Sequence, residues 1–241
     1  MIDIELVFSA VGLPDELVER WIELNKSVLG LVHACVVTDS HNKWTGLRTV
    51  HVKPQERFDI GKINNRGIRS SNATVIAKTD IDIVFSLQLI EHIWGHVVAG
   101  TGVIGTCANV DLPTGADLGN LDWATMPKRV QGRGACFAMH RRDWDQLRGY
   151  DERFLGFGAD DDDLSRRAHQ MIYVVQTMAH KLLHINHPRR IDARFPNCGR
   201  KNLQIVEERG PWHEQPESEN WGLDLGDLGD ILAGECDFEK I

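Results

Sequence analysis

The chain has 241 residues, 42% of them hydrophobic, and a formal net charge of −8. That length and composition give one sizeable α/β domain, or two lobes sharing a core, and exclude a chain disordered overall. The acidic balance excludes a nonspecific nucleic-acid binder, whose affinity comes from neutralising phosphates, while a neutral sugar or a small basic acceptor stays open.

The opening MIDIELVFS has no basic n-region, and no apolar run approaches the ~20 residues that span a bilayer, so the expectation is a cytoplasmic chain with no signal peptide and no membrane span. Cysteines stand at 35, 107, 136, 198 and 236, an odd count without CxxC spacing. Neither a zinc site nor a disulfide framework is indicated, and a reducing compartment is expected.

Ile2, Ile4, Leu6 and Phe8 alternate with Asp3 and Glu5, the period of a half-buried strand. Pro14, Asp15 and Glu16 open a helix with Leu17, Trp21, Leu24 and Val28 on one face and Gly30 as its stop. Leu31 to Val37 is an apolar strand, and its His33 is expected as a core residue rather than a ligand. Asp39 follows at that strand's C-terminal end, where open parallel sheets bind ligands; as a bare residue it reads equally as a turn former. Thr49 to Val52 forms a short third strand.

A helix near Ile60 to Ser70 places Asn65 toward the end of the next strand, and its Lys62 is either a solvated lysine or an attractor of a diphosphate. Thr74 to Lys78 is a buried strand ending in Thr79-Asp80-Ile81-Asp82. Two carboxylates at i and i+2 just past a strand suit a divalent cation whose oxygen shell a diphosphate completes. The tripeptide alone is common by chance; its place after a buried strand gives it weight. Ile83 to Trp94 reads as helix and His96 to Ile104 as strand. Ala108 to Arg133 is too long for an ordinary connection and is either functional or mobile, with Trp123 a packing anchor or a stacking surface for a sugar. Gly134 to Met139 is a strand whose glycine permits close backbone approach to a ligand, and Arg141 to Leu147 is a short helix. Ile172 to Gln176 is a strand; then His180, His184 and His187 form either a set of metal ligands or a surface cluster. Gly210 to Ile241 is acidic and carries an amphipathic set, Leu223, Leu225, Leu228, Ile231 and Leu232, that could dock on the body or on a partner.

The densest chemistry lies in Gly149 to Arg167, GYDERFLGFGADDDDLSRR. Leu164, Ala168 and Met171 fall at helical spacing, so Asp160 to Asp163 form a first helical turn. One or two carboxylates there complement the helix dipole. Four adjacent ones repel, and carboxylates gathered together have raised or split pKa values of the kind a base or a metal ligand uses. Gly156 and Gly158 flank Phe157 in a loop that packs closely and has freedom to move.

This block, with Gly134-Ala-Cys-Phe-Ala-Met-His-Arg-Arg and Trp144 before it and the FDIGKINNRGI segment and Asp80-Ile81-Asp82 further upstream, resembles the group of β-1,4-galactosyltransferases, chondroitin-polymerase-type enzymes and polypeptide N-acetylgalactosaminyltransferases. The resemblance runs over about Asp59 to Pro188. Phe157 stands where that group has Trp, Ala159 where it has Gly, and Asp160 where it has Glu. It implies an α/β fold of GT-A type, Rossmann-like, with a mixed central sheet flanked by helices. Residues 1–112 would be the nucleotide-sugar-binding half, 113–190 the acceptor-binding and catalytic half of the same domain, and 191–241 an extension. The implied activity is metal-dependent transfer, with inversion, from a nucleotide sugar, a UDP-sugar, to a carbohydrate or other hydroxyl acceptor, with Mn²⁺ or Mg²⁺ as cofactor. Asp82 would ligate the metal, Asp80 the ribose or the metal, and His184, or next to it His187, would complete the metal site. Asp161 would be the general base and Asp162 would hold the acceptor. Asp39, Lys62, Asn65, Gly134 and Phe157 would lie at the donor. Two other classes stay open: a metal-dependent sugar-nucleotide hydrolase or phosphoesterase, and a noncatalytic carbohydrate-binding module on a degenerate transferase fold.

Overall fold

The computed structural model describes residues 2–53, 59–110, 129–176, 182–185, 197–209 and 221. Its elements run β1 (Ile4–Ser9), α1 (Asp15–Leu29), β2 (His33–Thr38), β3 (Arg48–His51), α2 (Ile60–Ser70), β4 (Val75–Thr79), β5 (Ile83–Val84), α3 (Leu87–Val98), β6 (Gly102–Val110), β7 (Arg129–His140), α4 (Arg141–Leu147), α5 (Asp160–Met171), β8 (Val174–Gln176), β9 (Leu182–Ile185) and α6 (Gly199–Arg209). One mixed sheet of nine strands has the order β3-β2-β1-β4-β7-β6-β9-β5, with β8 on β6. This is a mixed α/β fold with a central sheet flanked by helices, the Rossmann-like arrangement the resemblance implies.

The parallel strands β1, β2 and β4 are apolar because helices cover both faces, as buried parallel strands require. On one face Trp21 and Val28 of α1 and Ile90, Ile93 and Val97 of α3 pack on Phe8, Val36 and Ala77. The Phe8 and Trp21 rings lie 4.2 Å apart. On the other face Ile68 of α2, Trp144 of α4 and Leu164 of α5 pack on Val7, Ile76 and Phe137. Each such side chain, fully buried, contributes roughly 1.5–3 kcal/mol before entropy is counted.

Strand β7 runs antiparallel to β4, pairing Thr79 with Cys136 and Val75 with His140. It is also antiparallel to β6, with register shifts between Gly105 and Ala108. A strand from the second half of the chain therefore lies beside the strand that ends in Asp80-Ile81-Asp82.

Several sequence expectations need correction. His33 is exposed, because it starts β2 rather than sitting in its middle. Ile83 and Val84 form a short strand against β9, and the helix expected over Ile83 to Trp94 is α3, which begins only after Ser86 caps it and runs on to Val98. The strand expected from His96 starts at Gly102. Strands β6 and β7 extend well into the stretch taken as a connection, and residues 111–128, with Trp123, lie outside the described residues. Cys198 is disulfide-bonded, against the expectation of no disulfide framework; Cys35, Cys107 and Cys136 are free and buried. Among the described residues no helix is long and apolar enough to cross a membrane.

Candidate active site at the end of β4

Alternation along β4 decides what its last residues do. Val75 and Ala77 face α1 and α3, Ile76 faces α4 and α5, and Lys78 falls on the same side as Ile76. The Lys78 side chain is only 4% exposed, and its Nζ donates to Asp80 Oδ1 at 2.8 Å and lies 3.8 Å from Asp161 Oδ1. Nζ also sits 5.8 Å from the centroid of the Tyr150 ring. Burial works against the ammonium, but Asp161, Asp80 and Tyr150 more than offset it and hold its pKa well above the usual lysine value.

Asp161 reaches this cluster from the first turn of α5. The Tyr150 hydroxyl donates to its Oδ1 at 3.2 Å. Its other oxygen lies against Gly134 of β7: a Cβ built on Gly134 would stand 2.6 Å from Oδ2, and Gly134 has φ +108°. The close approach that this glycine permits is that of the Asp161 carboxylate. Burial pushes the Asp161 carboxyl up to about 8 against the pull of Lys78; Asp160 and Asp80 add to the rise and the Tyr150 hydroxyl opposes it. Asp80 is raised too, by burial and by Asp82, against Lys78 and His184.

The four carboxylates of the run have four different surroundings. Asp160 Oδ1 accepts from the Gly158 N–H at 2.8 Å, closing the turn into the helix. Asp161 faces Lys78. Asp162 is exposed. Asp163 is buried and accepts from Arg167 Nε at 2.9 Å, while the other guanidinium nitrogens donate to Leu147 O and Gly149 O, each at 2.8 Å.

The turn before α5 is pinned from both sides. Asp59, fully buried before α2, accepts from Gly156 N at 2.8 Å, and Ile60 N donates to Gly156 O at 3.0 Å. From α6, Asn202 accepts from Leu155 N and donates to Leu155 O and Gly158 O. Phe157 is 41% exposed, and its carbonyl accepts from Cys198 N at 2.9 Å. The Asn65 amide is committed to the same stretch: it donates to Tyr150 O at 2.9 Å and to Glu152 Oε1 at 2.8 Å and accepts from Tyr150 N at 2.8 Å. Gly149 has φ +61°, and a Cβ there would strike Asn65 Oδ1 at 2.2 Å. Asn65 thus faces the 149–152 turn rather than a strand end.

The second carboxylate after β4 has a different neighbour. β5 pairs with β9 so that Ile83 lies opposite His184, and His184 Nε2 stands 3.2 Å from Asp82 Oδ2, both side chains partly exposed. An oxygen and an imidazole nitrogen this close can touch one cation, and the donor set suits a metal such as Mn²⁺. Among the described residues no group of three or more His, Cys, Asp or Glu stands together as a complete metal site. His187 lies outside the described residues.

Two further candidates lie on other elements. Asp39, after β2, accepts from Gly12 N at 2.8 Å in the loop that follows β1. Lys62 is partly buried in the first turn of α2. The structure therefore brings Asp80, Asp161 and Gly134 together around Lys78, with Asp82 and His184 near enough to act on Asp80. Lys78 and Tyr150 were not singled out from the sequence, although a lysine at a core-facing position of an apolar strand is a signal that alternation alone could have raised.

A family model described as the N-terminal domain of galactosyltransferase matches residues 124–190, which include Gly134, Tyr150, the acidic run and His184. A crystal structure of S. aureus TarS 1-349 superposes with a TM-score of 0.54 at 7% identity, over 76% of this chain and 60% of that one. The chain thus spans less than two thirds of that relative. No curated protein matches in sequence. The protein carries a domain and a fold related to those of glycosyltransferases.

Proposed function

We propose that the protein is a metal-dependent glycosyltransferase that moves a sugar, with inversion, from a UDP-sugar to a hydroxyl acceptor. The observation that carries the reading is the meeting of Asp161, from the acidic run, with Asp80, from the end of β4, on the two sides of Lys78. Donor-side and acceptor-side carboxylates stand within one ion network. A transferase needs that juxtaposition, because the nucleophile must attack in line with the leaving diphosphate.

Asp82 and His184 would hold Mn²⁺ or Mg²⁺, which supplies a Lewis acid for the charge on the departing diphosphate. The chain's own residues do the rest. Asp80 orients the donor. Asp161 accepts the proton of the attacking hydroxyl, and a carboxyl raised to about 8 is matched to that task near neutral pH. Asp162, exposed one residue further, contacts the acceptor. Asp39, Lys62 and Phe157 belong to the donor's outer contacts, and Asn65 and Gly134 support the base from behind.

Thermal melts in Mn²⁺ with UDP, UDP-galactose, UDP-glucose and UDP-N-acetylgalactosamine test the reading, because a ligand of the folded state raises the midpoint by mass action. A rise that needs both metal and nucleotide, and that D82A abolishes without lowering the ligand-free midpoint, is expected. Equal midpoints with and without every nucleotide would sink the reading. Product analysis with and without a glycoside acceptor then separates transfer from simple hydrolysis.

A further inference from the structure

The structure assigns Lys78 and Tyr150 as positioning residues that together fix one oxygen of the Asp161 carboxylate, while the bare backbone of Gly134 backs the other. This rests on the transferase reading and goes beyond it, naming two residues that tie the base to the donor carboxylate.

Both contacts fall on the same atom. The Tyr150 hydroxyl is 3.2 Å from Asp161 Oδ1, and Lys78 Nζ is 3.8 Å from it. Lys78 is closer still to Asp80 Oδ1, at 2.8 Å, so one ammonium spans the two carboxylates. Oδ2 points at Gly134, where no side chain stands and none would fit. Held on both oxygens, the Asp161 side chain is still 35% exposed, and a substrate hydroxyl would reach it from that open side.

Fold stability gives no reason for this arrangement. An unbranched apolar side chain of similar length at position 78 would continue the Ile76 side of β4 without the desolvation cost of an ammonium, and replacing a buried ion together with its partners by apolar groups is often neutral or stabilising. The Tyr150 ring is itself packed against Phe137 and Trp144, which fixes where its hydroxyl ends. The backbone on either side of it is held by Asn65 and by Arg167. The hydroxyl therefore reaches Asp161 from a rigid base, as a group that sets geometry should.

The test is initial-rate kinetics of UDP release from the best of the three UDP-sugars above, in Mn²⁺ with acceptor, for wild type, Y150F, K78M, D161N and the doubles Y150F/D161N and K78M/D161N, with melts on each. Y150F and K78M should lower kcat, K78M by about a hundredfold, the cost of a reacting group displaced by about 1 Å, while KM for the donor in Y150F stays within about twofold. In the D161N background neither change should lower kcat further, because residues acting through one group are not additive. If Y150F and K78M keep wild-type kcat while D161N has lost it, the positioning assignment is wrong and the base stands. Losses in the doubles that multiply also overturn it, since they would mean a role independent of Asp161; this comparison remains decisive if K78M alone melts low, because K78M/D161N removes both charges of that pair. A fully active D161N overturns the base itself and this assignment with it.

Discussion

Asp161 and Asp163 stand two residues apart on one helix, each beside a buried cation, yet the two ion pairs are built for different ends. Asp163 and Arg167 are both 1% exposed, and the guanidinium fills its remaining donors with the Leu147 and Gly149 carbonyls. That pair is closed. Asp161 remains 35% exposed while its partner Lys78 is almost wholly buried, so the carboxylate has one side on the protein and one side outward. That pair is open. A run of four carboxylates is thus part framework and part site, and the partner's position, not the residue type, decides which.

The largest expected effect separates the two most sharply. Asp161→Asn keeps shape and removes the base, so kcat should fall about a hundredfold to ten-thousandfold, with donor affinity nearly unchanged. The pH dependence checks the same group. Its carboxyl is raised to about 8, so the ionised fraction that can act as a base shrinks about tenfold for each pH unit below that; kcat/KM should rise with pH and level off above about 8. Asp161→Asn should lose that limb. A wild-type profile flat from pH 6 to 9 would place the base elsewhere.

Asp163→Asn should do the reverse. Breaking a buried pair from one side leaves the Arg167 charge uncompensated, a cost of about 3–5 kcal/mol. Urea melts should show the loss directly, and kcat of the fraction that stays folded should hold near wild type. The double change Asp163→Leu with Arg167→Met removes both charges and should recover much of the stability, although Leu147 O and Gly149 O lose their donors. If Asp163→Asn instead lowers kcat while leaving the urea midpoint in place, the open and closed assignments are interchanged.

How much of this was legible beforehand depends on the range of the signal. The helices expected over 60–70 and 141–147 are α2 and α4 at their full lengths, and local periodicity is a signal that reads helices elsewhere because an apolar face repeats within one turn. It placed the acidic run at a helix start for the same reason. It failed at Ile83 and Val84, where two apolar residues carry no period and pairing with β9 settled the strand. It failed at His33, where a position at the end of β2 outweighed an apolar context. The juxtapositions that define the site are all long-range: Lys78 with Asp161, Asn65 with Tyr150, Asp82 with His184. No spacing rule contains them. The resemblance led to Asp161 and His184 through family motifs, but Lys78 could be found only once β4 and α5 lay side by side.

The smallest effect concerns how α5 is entered. Ala159, just before the run, has φ +63°, a left-handed conformation that crowds its Cβ and costs roughly 1–2 kcal/mol for a residue other than glycine. The position is held there by its neighbours: Gly158 N donates to Asp160 Oδ1, Asp163 N donates to Ala159 O, and Asn202 draws in Gly158 O. Ala159→Gly removes the clash but adds freedom to the unfolded chain, which returns about 0.4–1 kcal/mol of the gain. The net should be a rise in unfolding free energy of up to about 1 kcal/mol, read from the urea midpoint with no change in slope. Because the substitution touches the frame of the run and not its open pair, the pH midpoint of kcat/KM should stay where wild type has it. A fall in stability would mean that the Ala159 methyl packs well enough to outweigh its own strain. A moved pH midpoint would mean that the entry into α5, and not the contacts to Asp161 Oδ1 alone, sets where the base stands.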